Sequence, residues 1–172
     1  MKNIELKVKL DSFTPISRLF RNVKVKKHGV LRQVDTYYKC QNGRLKFREI
    51  NNKKFELIWY SRPDTTASKL SDYTISLIPK KQVAAMKKIL KTSFGELVTV
   101  KKVRQLWTYK HTRIHLDKVE RLGNYLELET VIQKQSLEHA QKEHREVIDL
   151  LHLVQYTKHR SSYSDMLLRK RT

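Results

Sequence analysis

The 172 residues suffice for one domain with a real core and are too few for two. Lys and Arg number 37 against 17 Asp and Glu, and the formal charge of +20 points to an anionic partner: phosphate, nucleic acid or membrane headgroups. Dispersed hydrophobic residues, 39% of the chain, exclude the disordered class, and four glycines leave no Gly-rich phosphate loop.

No apolar run approaches the ~18 residues of a membrane span. The opening Met1-Lys2-Asn3-Ile4-Glu5 has no apolar signal-peptide core. Cys40, the single cysteine, allows neither an intrachain disulfide nor a thiolate zinc site, so a reducing, cytoplasmic compartment is expected.

Ile4-Glu5-Leu6-Lys7-Val8-Lys9-Leu10 alternates strictly and predicts a half-buried strand. Pro15 opens a short amphipathic helix carried by Ile16, Leu19, Phe20 and Val23. Residues 30–40 and 44–50 read as strands joined at Gln41-Asn42-Gly43, because Asn-Gly is the strongest short hairpin signal. Strands follow at 54–62 and 71–78. Pro79 opens a second helix with Val83, Met86, Ile89 and Leu90 on its apolar face and Gly95 as its stop. Three further strands cover 96–108, 111–118 and 124–132. A helix spans 136–154 with Leu137, Val147, Leu150, Leu151 and Val154 as its expected core stripe. The tail adds a short helix around Ser164-Asp165-Met166-Leu167-Leu168. With no linker or repeat, residues 1–172 are expected to form one mostly β, α+β domain. Its eight antiparallel strands would close into a barrel with flanking helices.

The charges share strand faces. Arg44, Lys46 and Arg48 lie on one side of their strand, as do Lys102 and Arg104, then Arg113, His115 and Asp117, then Glu127 and Glu129. Leu45, Phe47, Val103, Ile114, Leu116, Leu126 and Leu128 lie on the other sides. Either the apolar faces point inward and the charges are a solvated surface, or the charges line a water-filled interior and helices cover the apolar exterior. Amphipathic helices need a surface to pack on, which favours the second. That interior would hold Lys7, Lys9, Arg44, Lys46, Arg48, Arg62, Lys102, Arg104 and Arg113 with Glu5, Asp117, Glu127 and Glu129. So many like charges call for a polyanion such as a triphosphate, with the carboxylates holding a divalent metal.

The order and spacing of these residues resemble the CYTH superfamily, the triphosphate tunnel enzymes that include fourth-class adenylyl cyclases and thiamine triphosphatases, and the cyclase branch above all. Val34-Asp35-Thr36-Tyr37-Tyr38 with Asn42-Gly43-Arg44-Leu45-Lys46-Phe47-Arg48-Glu49 carries the likeness. So do Tyr60-Ser61-Arg62-Pro63-Asp64, Arg113 to Glu120, Leu122 to Glu129 and Ser162 to Leu167. The resemblance implies an eight-stranded tunnel in which Lys7, Arg44, Lys46, Arg48, Arg62, Lys102 and Arg104 grip the triphosphate. Glu5, Glu127 and Glu129 would hold Mg²⁺ or Mn²⁺, and Lys9, Arg113 and Asp117 would serve catalysis. In the cyclases the ribose 3′-hydroxyl attacks the α-phosphorus and pyrophosphate leaves; in the triphosphatases water attacks the terminal phosphorus. Positioning and charge neutralisation carry both.

One departure stands out. The family motif Glu-x-Glu-x-Lys here reads Glu5-Leu6-Lys7-Val8-Lys9, so an ammonium replaces the second carboxylate. The leading expectation is metal-dependent conversion of ATP to cyclic AMP and pyrophosphate. The alternatives are a triphosphatase and a catalytically weak triphosphate or RNA binder. Lys9 reads equally as general base or phosphate contact, and Asp117 as an orienter of Arg113 or a metal ligand. His115 reads as structural, Cys40 as a bystander, and Tyr37, Tyr38, Trp59 and Tyr60 as core or rim aromatics. Tyr163 belongs to a tail that packs on or plugs a tunnel mouth. Surface runs such as Lys24-Val25-Lys26-Lys27-His28 are ordinarily solvated; they would also steer nucleotides, and no RNA-binding signature accompanies them. A homodimer is compatible with the sequence.

Overall fold

A computed structural model describes residues 2–61, 69–132 and 136–170. The strands are β1 (Lys2–Leu10), β2 (Lys26–Tyr38), β3 (Arg44–Ile50), β4 (Lys54–Ser61), β5 (Lys69–Leu77), β6 (Glu96–Tyr109), β7 (Thr112–Val119) and β8 (Gly123–Val131). The helices are α1 (Thr14–Leu19), α2 (Val83–Phe94), α3 (Leu137–Leu150) and α4 (Tyr163–Arg169). All strand pairs are antiparallel and the order β1-β5-β4-β3-β2-β6-β7-β8 returns to β1, so the sheet closes.

The β1–β5 seam is short, running from Lys2↔Asp72 to Glu5↔Lys69. Beyond it the chain's own tail covers the edge of β1. Val8 bridges to Lys158, the Lys9 amide donates to Thr157 O at 3.2 Å and the His159 amide to Lys7 O at 2.9 Å. An otherwise open edge is thereby paired.

The hairpin at Asn42-Gly43 forms as its sequence indicates. Gly43 has φ 72°, and a Cβ there would lie 2.7 Å from Tyr60 O. Only glycine fits both demands. Asn51 and Asn52 turn β3 into β4 with φ 52° and 53°, a left-handed conformation that Asn tolerates.

The strands turn their charges inward and their apolar faces outward. Outside, Leu6, Val8, Leu10, Ile114, Leu116, Leu126 and Leu128 pack against Ile16 and Phe20 at α1, against Val147 on α3, and against Leu151 and Leu153 just after it. On the far side Leu90 of α2 packs on Tyr38, Phe47, Phe55 and Ile78. Each fully buried Leu contributes roughly 1.5–3 kcal/mol.

Two expected apolar stripes differ in detail. Ile89 on α2 is 56% exposed, with Leu90 taking the inward position. On α3 the inward stripe is Ala140, Glu143, His144 and Val147, while Leu137, Leu150 and Val154 are exposed. The helix stops at Leu150, and His152 with φ 51° redirects the chain so that Leu151 and Leu153 turn in and Val154 turns out.

Glu143 and His144 in that α3 stripe each meet a buried threonine hydroxyl of the barrel. Thr112 Oγ1 donates to Glu143 Oε1 at 2.6 Å and lies 2.8 Å from Thr130 Oγ1, which lies 2.8 Å from His144 Nδ1. Burial pushes His144 down to about 4. The unfolded chain, protonating near the ordinary 6.5, binds more protons than the folded one between those values. Stability therefore falls as pH drops from 6.5 to 4, by up to ~3 kcal/mol from this residue. Urea unfolding at pH 7 and pH 4.5 measures the slope. His144→Gln is expected to reduce it, with His115 keeping its own share, and an unchanged slope removes His144 as a contributor.

Candidate functional site

The ladder register assembles the interior. Glu5 faces Glu129 and Lys7 faces Glu127 across β1–β8. Arg113 faces Glu129 and His115 faces Glu127 across β7–β8. Arg104 faces Asp117 across β6–β7, and Asp35 faces Arg48 across β2–β3. With a side-chain period of two, all of these enter one cavity wall. The cavity is lined by Glu5, Lys7, Lys46, Arg48, Lys102, Arg104, Arg113, Glu127 and Glu129, with Ile58, Tyr60, Tyr73 and Ile75 along β4 and β5. The lining is ionic except along β4 and β5, where it is apolar and aromatic.

The ions form linked clusters. Arg104 grips Asp117 through Nε at 2.7 Å and Nη2 at 2.6 Å, and reaches Glu127 Oε2 at 2.7 Å. Lys102 Nζ joins Asp117 at 3.1 Å. Arg48 grips Asp35 at 2.7 Å through both Nε and Nη2, with Lys46 at 3.2 Å. Arg113 pairs with Glu129 Oε2 at 2.9 Å. Such forked pairs fix guanidinium planes and leave donors directed at a ligand.

Burial alone would raise the carboxyls, but the cations win. Arg48 and Lys46 hold Asp35 well below its usual range, and Arg104 and Lys102 do the same for Asp117. Lys7, Lys102 and Arg104 hold Glu127 low, and His115, Arg113 and Arg104 hold Glu129 low. Burial, reinforced by Arg104, pushes Lys102 down to about 8 against the pull of Asp117. Burial and Arg104 also push His115 down to about 3, so its imidazole is neutral at pH 7.

One end of the chamber is blocked. Tyr163 and Leu167 of α4 pack inside the barrel against Tyr37, Val98, Val100, Val119 and Tyr125. Ser162 caps α4 with Asp165 in a reciprocal capping box. The Tyr163 hydroxyl donates to Asp117 at 3.1 Å, and its ring lies 4.1 Å from Lys7 Nζ and 4.9 Å from Lys102 Nζ. Lys7 Nζ pairs with Glu127 Oε1 at 3.0 Å and donates to Ser161 O at 3.1 Å. The tail that plugs the tunnel is thus fastened by the residue that breaks the Glu-x-Glu pattern.

A family model for the CYTH domain matches residues 1–163. The chain belongs to the CYTH domain family. Among solved structures, the PH1012 protein of Pyrococcus horikoshii OT3 superposes with TM-score 0.81 at 22% identity, covering 95% of this chain and 98% of that one. A putative adenylate cyclase from Vibrio parahaemolyticus gives TM-score 0.71 at 15% identity, covering 96% and 97%. HpAC1 from Hippeastrum, a putative adenylyl cyclase with a dominant triphosphatase activity, gives TM-score 0.72 at 13% identity, covering 99% and 96%. At such identities the likeness carries the fold alone. No curated protein matches the chain. Among the described residues no helix is long and apolar enough to cross a membrane.

Within this CYTH barrel, most residues expected at the site converge. Glu5, Lys7, Lys46, Arg48, Lys102, Arg104, Arg113, Glu127 and Glu129 line the cavity. Asp117 lies behind them, fully buried on Arg104 and Lys102, while Arg113 takes Glu129 instead. Lys9 is exposed, with its ammonium 6.0 Å from the Tyr125 ring at the blocked end. Arg44 lies on the outer side of the plug, paired with Asp165 at 2.9 Å and 5.9 Å from the Tyr60 ring. Arg62 lies outside the described residues.

Asp35, His115, Tyr60 and Tyr73 were not among the expected site residues. Asp35 sits alone among Gln33 and Tyr37 on its face of β2, so no run of charge announces it. Tyr60 and Tyr73 share their inward strand faces with Ile58 and Ile75, a pattern that reads as core rather than as a site.

His115, Glu127 and Glu129 offer one ligand atom each, all within 4.8 Å of one another. His115 Nδ1 is buried and has no hydrogen-bond partner. A neutral imidazole and two ionised carboxylates are a donor set that fits a divalent ion.

Proposed function

We propose that this CYTH domain binds a divalent-metal complex of ATP and converts it to cyclic AMP and pyrophosphate. The observation that carries the reading is a blind chamber lined by cations, with an acidic corner at Glu127 and Glu129 and an apolar and aromatic stretch along β4 and β5. A linear triphosphate entering a closed end leads with its terminal phosphate. Lys7, Lys46 and Lys102, nearest the plug, would neutralise that end, and Arg48, Arg104 and Arg113 the phosphates nearer the mouth. Ile58, Tyr60, Tyr73 and Ile75 would receive the organic group. The ribose 3′-oxygen then bonds to the α-phosphorus, the bond to the bridging oxygen breaks, pyrophosphate leaves, and the hydroxyl proton departs to solvent. A divalent ion held by Glu127 and Glu129, with Glu5 beside them, would lower the pKa of the attacking hydroxyl and neutralise the developing charge. Preorganised charge supplies the rest of the stabilisation.

Incubation of the purified chain with ATP and Mn²⁺ or Mg²⁺, with products resolved chromatographically, tests this. Cyclic AMP with pyrophosphate supports it. Intact ATP beside folded protein replaces it with a catalytically weak triphosphate binder.

Lys102 favours a second reading, hydrolysis at the terminal phosphorus. It lies beside the plug, where that phosphorus would sit, and burial pushes it down to about 8, suiting a general base. On this reading the products are ADP and phosphate. kcat/KM rises as pH approaches 8 and Lys102 loses its proton, and Lys102→Arg removes the rise. A limb that falls through the same pH marks Lys102 as a phosphate contact and ends the base role.

A further inference from the structure

We infer that His115 is itself a metal ligand. Its Nδ1, with an oxygen of Glu127 and one of Glu129, makes a one-nitrogen, two-oxygen site that takes Mn²⁺ or Co²⁺ in preference to Mg²⁺. This deepens the proposed function and rests on its metal dependence. The three donor atoms lie within 4.8 Å of one another without any side-chain movement.

His115 is 3% exposed, and its Nδ1 has no hydrogen-bond partner. An unsatisfied buried polar atom costs about 1–3 kcal/mol, so it points to an absent partner. Glu129 Oε1 is 3.6 Å away, too far to be that partner as a hydrogen bond and close enough to share an ion with it.

The commitments of the other atoms agree. Glu127 uses Oε1 on Lys7 and Oε2 on Arg104, and Glu129 uses Oε2 on Arg113. Glu129 Oε1 and His115 Nδ1 are left facing one another across the corner. An ion seated there draws Glu127 from one of its two cations, and a bound triphosphate gives that cation a new partner. Ion and triphosphate therefore tighten one another. The nitrogen sets the preference: imidazole suits borderline transition ions, whereas Mg²⁺ demands oxygen and keeps its waters. Register makes the placement firm, since His115 stands opposite Glu127 with Arg113 and Asp117 two residues to either side.

The test loads the full chain with Mn²⁺ alone and records electron spin-echo envelope modulation. The expected result is the ¹⁴N modulation of a coordinated imidazole, lost in His115→Gln. Calorimetry is expected to give Mn²⁺ at least roughly tenfold tighter than Mg²⁺, with the ratio collapsing in His115→Gln. Bound Mn²⁺ without ¹⁴N modulation in the natural chain, or modulation that persists in the variant, overturns the inference and leaves the triphosphate reading standing. No Mn²⁺ binding, with or without a non-hydrolysable ATP analogue, overturns it as well. Modulation in a chain that neither binds nor turns over ATP keeps His115 as a ligand and overturns the triphosphate reading instead. The natural chain gives the first answer by itself, so a poorly folded variant does not blunt the test.

Discussion

Glu127→Ala combined with Glu129→Ala will abolish metal-dependent turnover, a loss of at least ~10³-fold, while leaving metal-free triphosphate binding intact or tighter. The two carboxylates face the chamber and take part in the donor set with His115. They also neutralise Lys7, Arg104 and Arg113. Removing them leaves Glu5 as the anion of that corner, takes these carboxylates from Lys7 and Arg113, and leaves Arg104 with Asp117 alone. The field on an incoming triphosphate becomes more attractive, and affinity without metal is expected to rise about tenfold, ~1.4 kcal/mol. The empty protein pays for this, because breaking a buried pair from one side leaves an unpaired charge. Its melting temperature should drop and recover when ATP is added. Kinetics and metal-free titration of one preparation separate the effects. Unchanged turnover sinks the metal-site assignment, and equal loss of binding and turnover shows that the carboxylates merely hold the barrel together.

The strand faces that carry charge in alternation were legible from the sequence. β3, β6, β7 and β8 each place two or three ionic residues at a spacing of two, and the helices decide which way those faces point. What escaped has a different physical form. Asp35 is a lone carboxylate whose importance comes from standing opposite Arg48 across a ladder, a register fact rather than a composition fact. Lys9, the lysine that the family motif offers as general base, is exposed. Lys102 is the buried lysine whose charge burial and Arg104 disfavour. The α3 stripe is hidden in the sequence because Glu143 and His144 look polar there and are buried against His111, Thr112 and Thr130. The fastening of the tail joins Lys7 to Ser161, 154 residues apart, beyond the reach of any local pattern. His115 read as structural because an isolated histidine on a strand usually is.

Lys7→Glu is the reciprocal experiment, since it restores the carboxylate that the family motif carries. In the present chain Lys7 is 7% exposed and does three things. It neutralises Glu127 at 3.0 Å, holds Ser161 O at 3.1 Å and lies 4.1 Å from the face of the Tyr163 ring. Replacing it removes all three and puts a new carboxylate on the strand that carries Glu5, facing Glu127. Without metal the variant is expected to lose about 3–5 kcal/mol, the usual result of breaking a buried pair, here compounded by like-charge repulsion. With Mn²⁺ the sign reverses, because an ion that binds only the folded state stabilises it in proportion to its saturation. The expected signature is a melting temperature well below that of the natural chain without metal, rising steeply with Mn²⁺, and tighter Mn²⁺ binding by at least ~10-fold. Turnover of ATP should rise if metal occupancy limits the natural chain. A variant that melts early and is not rescued by Mn²⁺ would show the opposite. Lys7 is then a working part of this site, a resident ammonium that grips both Glu127 and the plug, and the departure from Glu-x-Glu-x-Lys is the feature that lets a tail close one end of the tunnel.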